Sequence, residues 1–540
     1  MTTKVLTNGV LFRGTNLLSD PGSHSNCMVV AGSQIVHVGT EGDLAVQEAK
    51  QQDAEVIDLE QRIVVPGFID SHVHILHFGL SLQKLDLESC KSLAEVRSAI
   101  SAHARKHPEL PRILCRGWQQ PSTNGEALAS ALDDLDTRPI FVESLDCHSA
   151  WCNTPALNEL PTDRIKEVCP EYLPCDESGR PTGLVAESAV IEFVWSHLLE
   201  QCTPDEIQEA LGKAFEAYIK AGYTGIIDMA MDKHLWDSLE TYSKNRGLPI
   251  HVAAHWFVPY TADAGQRRKR FDEALEMHRE WHPSKSKEFC VVGVKLISDG
   301  VVDGCTAALS RPYGGKTQLV HPIWPKTEME AVIKKAVDAG MQCAVHAIGD
   351  LAITQTIDCI ASARDPEGRH RVEHLETANE EDAKRLGRLG ITASVQPIHS
   401  DPARLIGYSK ILGPDAWSRA FPYREFADGD ACVAIGSDAP TASYLPLQNL
   451  YSATTRKSVV QPDYPGQTNA SGALSMVRAV TAATYGAAYS RFAESWAGRL
   501  DEGLQADIVV LDAVWSPEKL LEAKVHQTWI RGEKVYQAMP

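Results

Sequence analysis

The chain of 540 residues carries 52 basic and 71 acidic side chains, a formal net charge of −19, and 44% of its residues are hydrophobic. This composition excludes a collagen-like, coiled-coil or disordered chain, and the acidic balance disfavours a nucleic acid or an anionic membrane as partner. No secretory signal or membrane-spanning stretch is visible and there is no CxxC pair, so we expect a cytoplasmic protein with reduced thiols.

The two ends of the chain have β character. Residues 1–65 contain the short apolar runs KVLTNGVLF, CMVVAG, SQIVHVG and EVIDL. Residues 497–540 contain ADIVVLD and VHQTWIRGEKVY, with a turn at Gly532. We predict one composite β-sandwich domain formed by 1–65 plus 497–540.

Between these ends, buried strands alternate with amphipathic helices. Strands are predicted at 65–73, 224–229, 250–257, 291–297, 342–346, 370–374, 392–397 and 432–438, and helices at 205–221, 233–245, 271–281, 327–339, 350–363, 378–389 and 415–427. Eight such units favour a (β/α)8 barrel of the TIM type, an α/β fold, over 66–84 plus 200–496. An open doubly wound sheet is disfavoured because no glycine-rich phosphate turn follows the first strand.

Residues 85–199 interrupt this alternation after the first barrel strand. They are predicted to form an insertion domain over the C-terminal mouth of the barrel, where active sites of this fold lie. The pairs Cys147/Cys152 and Cys169/Cys175 in this span could hold zinc or a disulfide, but no matching His/Cys partners follow.

The motif PGFIDSHVH ends the first barrel strand. His72 and His74 are two residues apart, so both side chains point the same way, as ligands of a divalent metal would. The plainer interpretation is two ordinary histidines in a strand.

Lys295 lies inside the apolar strand VVGVKLISDG. It could reach solvent at the strand end or pair with Asp299. Alternatively, burial lowers its pKa, and the neutral amine reacts with carbon dioxide to form a carbamate that bridges two metals.

Three later strands end in further candidates. His346 closes the strand in VHAIGD, where Asp350 resembles a helix N-cap. In HRVEHLE, strand alternation places His370 and His374 on one face, with Arg371 and Glu373 on the other. We take His374 as the ligand and His370 as structural.

Asp438, in AIGSDAP, ends the last strand and can act as a weak ligand and a general base. Together, the candidates fall at the ends of predicted strands 1, 4, 5, 6 and 8. This joint placement predicts a metal site at the barrel mouth.

These motifs resemble those of the amidohydrolase superfamily. PGFIDSHVH, VKLISDG, VHAIGD, HRVEHLE and GSDAP are similar to the motif set of its family 3 branch, which includes N-substituted formamide deformylase-like and YtcJ-like hydrolases. GRLDEGLQADIVVLD resembles the tail strand of the superfamily's small β domain, and DCHSAWCNTPAL and GRPTGLVAE resemble the branch's insertion segment.

The resemblance implies a ligand set and a reaction. His72 and His74 would bind one metal, and Lys295, as a carbamate, would bridge to a second metal held by His346 and His374. Asp438 would contact the first metal and act as general base and acid while metal-bound hydroxide attacks a carbonyl. One or two ions, most simply Zn²⁺, would be bound.

Four residues are weaker candidates for substrate binding. Trp118, His148 and Tyr313 could line a pocket from the insertion and a barrel loop, and His399 could polarise a carbonyl. Core or loop packing is the alternative for Trp118 and Tyr313. Arg456 could meet an anionic substrate group, although a surface salt bridge is the simpler expectation.

We therefore expect a hydrolase of a non-peptide carbon–nitrogen bond, an amide or N-formyl amide of a small molecule. An esterase, a lactonase or a deaminase on the same metal site is the first alternative, and a non-catalytic scaffold of the same fold is the second. A homo-oligomer is plausible, but no interface can be identified in the sequence.

Overall fold

The computed structural model describes residues 2–14, 25–145, 147, 149–187, 189–314 and 317–539. The chain divides into two compact units. The larger unit is formed by Met1–His74, Phe215–Ala439 and Ser443–Pro540, and the smaller by Ile75–Ala214 with Pro440–Ala442. The smaller unit is wider than the predicted insertion, 85–199.

The strands are β1 Thr3–Thr7, β2 Val10–Leu11, β3 Cys27–Ala31, β4 Gln34–Gly39, β5 Glu55–Asp58, β6 Ile63–Pro66, β7 Phe68–Val73, β8 Leu85–Asp86, β9 Ile113–Trp118, β10 Ile140–Ser144, β11 Ser149–Cys152, β12 Leu184–Ala186, β13 Tyr223–Met231, β14 His251–Phe257, β15 Phe289–Ile297, β16 Gln342–Ala347, β17 Arg371–His374, β18 Thr392–Val395, β19 Val433–Ile435, β20 Ile508–Asp512, β21 Lys524–Ile530 and β22 Glu533–Gln537.

The α-helices are α1 Leu44–Gln51, α2 Ile75–Ser81, α3 Leu93–Lys106, α4 Thr154–Glu159, α5 Thr162–Val168, α6 Ser196–Glu200, α7 Pro204–Lys220, α8 Lys233–Arg246, α9 Ala264–Glu280, α10 Lys326–Asp338, α11 Asp350–Ala363, α12 Glu380–Arg388, α13 Tyr408–Arg419, α14 Tyr423–Asp428, α15 Pro446–Thr455, α16 Met476–Thr481 and α17 Ala487–Tyr489. Short 3₁₀ turns lie at Gln120–Thr123, Ala129–Ala131, Pro170–Tyr172, Pro366–Gly368, Pro397–Ser400, Ala470–Gly472 and Pro517–Lys519, and π-helical turns at Val190–Trp195 and Ala482–Gly486.

The larger unit contains the predicted barrel. Its eight strands pair in parallel in the order β7-β13-β14-β15-β16-β17-β18-β19, with crossover helices between most of them. A parallel bridge between Val73 and Ala439 brings the first strand to the segment after the last. The prediction of a (β/α)8 barrel is confirmed, and it follows from buried strands that each need helical cover.

The composite β domain is also confirmed as part of the fold. One sheet has the order β4-β3-β1-β5, and a second, β2-β6-β20-β21-β22, combines strands from both ends of the chain. Gly532 forms the turn between β21 and β22 with φ +76°, and a Cβ there would lie 2.1 Å from the Gly32 carbonyl oxygen. Only glycine fits such a turn without rearrangement.

The smaller unit is built on a sheet of its own, with the order β12-β11-β10-β9-β8. Two apolar clusters pack on this sheet, one of which contains Trp118 and Trp151 with ring centroids 5.4 Å apart. Its cysteines, like those elsewhere in the described chain, are free thiols.

One predicted helix, 415–427, is wrong as a single element. The structure has two helices there, α13 and α14, separated by a turn in which Phe421 has φ +56°. Pro422 follows directly, and proline cannot continue a helix because it lacks an N–H. Among the described residues, no helix is both long and apolar enough to cross a membrane.

Candidate metal centre

Two histidines at the end of the first barrel strand face the carboxylate of Asp438, which follows the last barrel strand. His72 lies in β7, His74 directly after it, and Asp438 just beyond β19. Asp438 Oδ1 is 3.4 Å from His72 Nε2 and 3.3 Å from His74 Nε2. The backbone holds this approach, because the Asp438 N–H donates to the His72 carbonyl at 2.7 Å. The three side chains therefore converge where the barrel closes.

His374, the last residue of β17, extends this cluster. Its ring centroid is 5.1 Å from that of His72 and 4.4 Å from that of His346. Ligand atoms of His72, His374 and Asp438 lie within 4.8 Å of one another. His374 Nδ1 is buried without a hydrogen-bond partner, and burial, with the nearby charge of His346, lowers the pKa of His374 well below its usual range. A neutral imidazole is the form that binds metals.

The backbone turns sharply at His374, and this changes which side chains reach the centre. In a regular strand Glu373 and His374 would face opposite sides of the sheet. Instead His374 has φ +74°, and Glu373 Oε2 hydrogen-bonds His72 Nδ1 at 2.8 Å. The expectation that Glu373 lies away from the ligand face is therefore wrong.

Glu373 determines the tautomer of His72. Arg371 Nε donates to Glu373 Oε1 at 2.8 Å, and although burial would raise the pKa of Glu373, Arg371 holds it well below its usual range. An ionised Glu373 accepts the proton of His72 Nδ1, which leaves a lone pair on Nε2. Burial, helped by the charge of Lys295, lowers the pKa of His72 to about 4, so the ring is neutral.

These atoms fit a divalent cation. The lone pair of His72 Nε2 and the carboxylate oxygen of Asp438 are both acceptors, and they repel each other at 3.4 Å unless a cation lies between them. Imidazole nitrogens and carboxylate oxygens are ligands of zinc and related ions. The donor set is therefore that of a metal site.

His346, near the end of β16, is positioned by Asp299. His346 Nε2 is 3.6 Å from Asp299 Oδ1 and 3.3 Å from the Gly300 carbonyl oxygen. The Asp299 carboxylate accepts three backbone N–H groups, those of Ala308, Ile348 and Gly349, at 2.8–3.0 Å. Burial raises the pKa of Asp299 to about 7. Through its hydrogen bonds to Ile348 and Gly349, Asp299 fixes the loop that follows His346.

Lys295 is buried within β15, with 3% of its surface exposed. It forms no ion pair with any described residue, and Asp299 is committed to backbone N–H groups rather than to this lysine. Burial lowers the pKa of Lys295 to about 8, against the opposing charges of Glu373 and Asp438. Its amine is therefore partly neutral near that pH, as carbamate formation requires. The carbamate itself stays a prediction.

His399 lies beside the carboxylate of Asp438. His399 Nε2 is 3.7 Å from Asp438 Oδ2, and its ring is parallel to that of His374 at 6.0 Å. Burial would raise the pKa of Asp438, but its contacts with histidines, which include a hydrogen bond from His74, hold it well below its usual range. Asp438 is therefore ionised and able to take a proton.

Comparisons with known proteins agree with this geometry. A sequence model of the amidohydrolase family matches residues 55–536. The chain belongs to the amidohydrolase family. Its family 3 branch contains metal-dependent hydrolases, so a hydrolase with a metal cofactor is the activity that this membership supports.

Two relatives and one solved structure are similar over nearly the whole chain. Protein LONG AFTER FAR-RED 3 of Arabidopsis thaliana is 28% identical, over 98% of this chain and 91% of its own. N-substituted formamide deformylase of Arthrobacter pascens is 25% identical, over 95% of each chain. An uncharacterized metal-dependent hydrolase from Pyrococcus horikoshii has a TM-score of 0.76 at 22% identity and covers 96% of this chain and 99% of its own.

Asp70 is a residue of this amidohydrolase whose role the sequence did not reveal. Its carboxylate accepts hydrogen bonds from Ser437 N at 2.8 Å, Tyr218 OH at 2.9 Å and His72 N at 3.2 Å. Asp70 thus joins the segment of His72 to the segment that carries Asp438. The sequence did contain a signal for this role, a carboxylate inside the buried run PGFIDSHVH. A buried carboxylate needs hydrogen-bond donors from neighbouring segments.

The structure gives unequal support to the proposed substrate-binding residues. Tyr313 is buried, and its hydroxyl donates to the Ala307 carbonyl at 2.8 Å. Trp118 is 1% exposed in the apolar packing of the smaller unit, and His148 lies outside the described residues. For these three residues a contact with substrate stays a prediction.

Arg456 is buried, so the expected surface salt bridge is wrong. Its Nε donates to the Thr468 carbonyl at 2.9 Å, and its guanidinium lies 4.5 Å from the centroid of the Tyr423 ring. Asp350 also differs from expectation, because it is the first residue of α11 rather than its cap.

Proposed function

We propose that this amidohydrolase hydrolyses a non-peptide carbon–nitrogen bond, an amide or N-formyl amide of a small molecule, with zinc or a similar divalent ion. The convergence of His72, His374 and Asp438 within 4.8 Å carries this proposal. The similarity to N-substituted formamide deformylase over 95% of the chain supports the choice of bond.

In this proposal six residues hold the metal. His72, His74 and Asp438 would hold one ion, and His346 and His374 would hold a second, with Lys295, as a carbamate, as the sixth ligand. A bound divalent ion polarises a carbonyl and lowers the pKa of a water that it coordinates. Glu373 and Asp299 are not ligands, but they orient His72 and His346.

The protein's own groups move the proton. Asp438 takes a proton from water as the water oxygen bonds to the carbonyl carbon, and Asp438 then returns that proton to the nitrogen as the carbon–nitrogen bond breaks. His399, whose Nε2 is 3.7 Å from Asp438 Oδ2, would polarise the carbonyl oxygen. The products are a carboxylic acid and an amine.

The proposal also includes a small molecule as the substrate. The net charge of −19 disfavours nucleic acid and anionic membranes as partners. A cytoplasmic location and a homo-oligomeric state stay predictions.

Metal content tests the centre. We expect about two metals per chain by plasma mass spectrometry when the protein is expressed with bicarbonate, and one or none in Lys295→Ala. One metal in both proteins would rule out the bridging carbamate. No metal in either, even after reconstitution, would contradict the hydrolase and favour a non-catalytic scaffold.

Matched substrates test the bond. We expect turnover of amides or formamides to exceed that of esters and lactones with the same acyl group, and of aminopurines or aminopyrimidines as deaminase substrates. Faster turnover of an ester, a lactone or a deaminase substrate would overturn the choice of bond while leaving the metal site in place.

A further inference from the structure

The turn that carries His399 begins with a backbone N–H that needs an acceptor from outside the turn. His399 belongs to the 3₁₀ turn Pro397–Ser400, just after β18. Because proline has no N–H, Ile398 carries the first N–H of this turn, and the first N–H of a helical turn has no acceptor within it. The Ile398 N–H instead donates to Asn449 Oδ1, 3.3 Å away. The Asn449 side chain therefore caps the turn in which His399 lies.

The amide nitrogen of Asn449 binds the segment that leads from Asp438 into α15. Asn449 Nδ2 donates to the Ser443 carbonyl at 3.0 Å and to the Leu445 carbonyl at 3.2 Å. Asn449 itself lies in α15 and is buried, so water does not compete for these bonds. An asparagine suits this place because its amide offers an acceptor and two donors on one short side chain. One side chain thus joins the turn of His399 to the segment that follows Asp438.

This link matters because His399 and Asp438 lie close together. His399 Nε2 is 3.7 Å from Asp438 Oδ2. In the proposed function Asp438 moves the proton and His399 polarises the carbonyl oxygen. A donor must lie within about 2.7–3.1 Å of the oxygen that becomes charged, so a small displacement of His399 removes its effect. The position of the turn should therefore control the rate of the reaction.

A second contact holds the far end of the same turn. The Asp401 carboxylate accepts the N–H groups of Val459 and Val460 at 2.6 Å and 3.2 Å. This contact attaches the turn to the fold, but it does not involve the segment after Asp438. We therefore expect loss of the Asn449 contact to displace the turn rather than to unfold it.

We propose that Asn449 is a positioning residue that holds His399 beside Asp438. This inference rests on the proposed function, in which His399 polarises the carbonyl and Asp438 is the general base. Asn449 acts through the backbone of the two segments that carry these side chains, and it takes no part in the proton transfer itself.

A double-mutant cycle on the zinc-loaded enzyme tests this role, with the amide or formamide that the wild type hydrolyses fastest. Asn449→Ser keeps a hydroxyl that can donate to the Leu445 carbonyl, four residues back in the chain, but it is too short to reach Ile398. We expect this variant to lower kcat by about 10–10²-fold with little change in KM, because a small misplacement of a reacting group costs up to about 10²-fold. The double variant with His399→Ala should be no slower than His399→Ala alone.

The cycle distinguishes positioning from a structural role. A residue that acts only through His399 has nothing to position once that histidine is removed, whereas independent losses multiply. Multiplied losses in the double variant would therefore overturn the proposal, and so would a wild-type kcat in Asn449→Ser. Asn449→Thr, which is closer in volume to asparagine, replaces Asn449→Ser if that variant does not fold.

Gln448→Ala is the matched control. Gln448 precedes Asn449 in α15, and its Oε1 accepts from Ser443 Oγ at 2.6 Å, so it contacts the same segment but not the turn of His399. We expect Gln448→Ala to keep the wild-type kcat. A loss equal to that of Asn449→Ser would show that any change at this segment slows the enzyme, and it would overturn the specific role of Asn449.

Nuclear magnetic resonance separates this inference from the proposed function, because it needs no substrate. In zinc-loaded protein with ¹³C-labelled histidine rings, the His399 resonance is the one that His399→Ala lacks. We expect Asn449→Ser to shift or broaden it and Gln448→Ala to leave it in place. An unchanged resonance in Asn449→Ser would overturn the positioning role. A shifted resonance without any amide turnover would support that role and contradict only the bond assignment.

Discussion

Asp438 is the residue on which turnover should depend most. Its carboxylate faces three histidines, His72, His74 and His399, at 3.3–3.7 Å, so it can act both as ligand and as proton acceptor. We expect Asp438→Asn to lower kcat/KM by about 10³-fold, because a general base contributes roughly 10²–10⁴-fold, while some metal stays bound. Activity assays and metal analysis on one preparation measure both effects.

The control for this variant is Asp350→Asn, which changes a carboxylate at the start of α11 that hydrogen-bonds Ser310. It should retain activity within a few-fold of the wild type. An Asp438→Asn enzyme that is equally active would remove Asp438 from the reaction.

Glu373 should affect metal affinity more than the chemical step. Its hydrogen bond fixes the His72 tautomer. Loss of a residue that hydrogen-bonds a metal-binding histidine typically lowers metal affinity by about 10–100-fold. We therefore expect Glu373→Gln to weaken metal binding by that factor, measured by competition with a chelator. Glu494→Gln, which alters the pair with Arg369, is the matched control and should bind metal like the wild type. If the two variants are indistinguishable, Glu373 does not orient His72.

At the residue scale, the sequence was informative wherever one side chain carried the signal. Histidines and acids at strand ends could be identified from strand alternation, and several of them meet at the closing seam of the barrel. The contacts that support these side chains could not be predicted. Asp70 contacts Ser437 across the closing seam of the barrel, and the position of Glu373 on the ligand side depends on the left-handed conformation of His374. Both depend on tertiary geometry rather than on local pattern.

Asp299 connects two elements of the barrel. Its carboxylate accepts three backbone N–H groups between the loop after β15 and the start of α11. Asp299→Ala would leave those donors buried and unpaired, which should cost about 2–4 kcal/mol in the free energy of unfolding. Denaturant titration of the metal-free protein measures this cost.

Asp350→Ala removes an acceptor from the more exposed side of the same loop and is the matched control. We expect it to cost less than about 1 kcal/mol. Equal losses for Asp299→Ala and Asp350→Ala would show that Asp299 has no special role in joining the two elements.

At the element scale, long periodic segments were predicted well and their interruptions were not. The helix predicted at 350–363 matches α11, because its apolar spacing is unbroken. The helix predicted at 415–427 includes the turn at Phe421, which has a positive φ and whose N–H donates to the Glu376 carbonyl. Local apolar spacing does not reveal such a long-range bond.

At the scale of the whole molecule, the composite β sheet could be predicted because the sequence patterns of both chain ends indicate strands that need partners. The contact of this sheet with the barrel could not be predicted. Asp507 precedes β20 and is buried, with Oδ1 accepting from Arg531 N at 2.8 Å. Its Oδ2 has no hydrogen-bond partner and lies 3.9 Å from His251 Nε2, at the start of barrel strand β14.

This buried carboxyl should make global stability depend on pH. Burial raises the pKa of Asp507 from 3.8 to about 7. Below pH 4 both folded and unfolded chains are protonated, and as pH rises the unfolded chain loses its proton first. The wild type should therefore lose about 2–4 kcal/mol of unfolding free energy from this group between pH 4 and 7.

Asp507→Asn does not titrate, so its unfolding free energy relative to the wild type should rise over that range and level off above pH 7. Asp512→Asn, on the exposed end of β20, should follow the wild type at every pH. Denaturant titrations at several pH values give the three profiles. Parallel profiles for Asp507→Asn and the wild type would mean that Asp507 is ionised in the folded protein and is stabilised there by Arg531 and its neighbours.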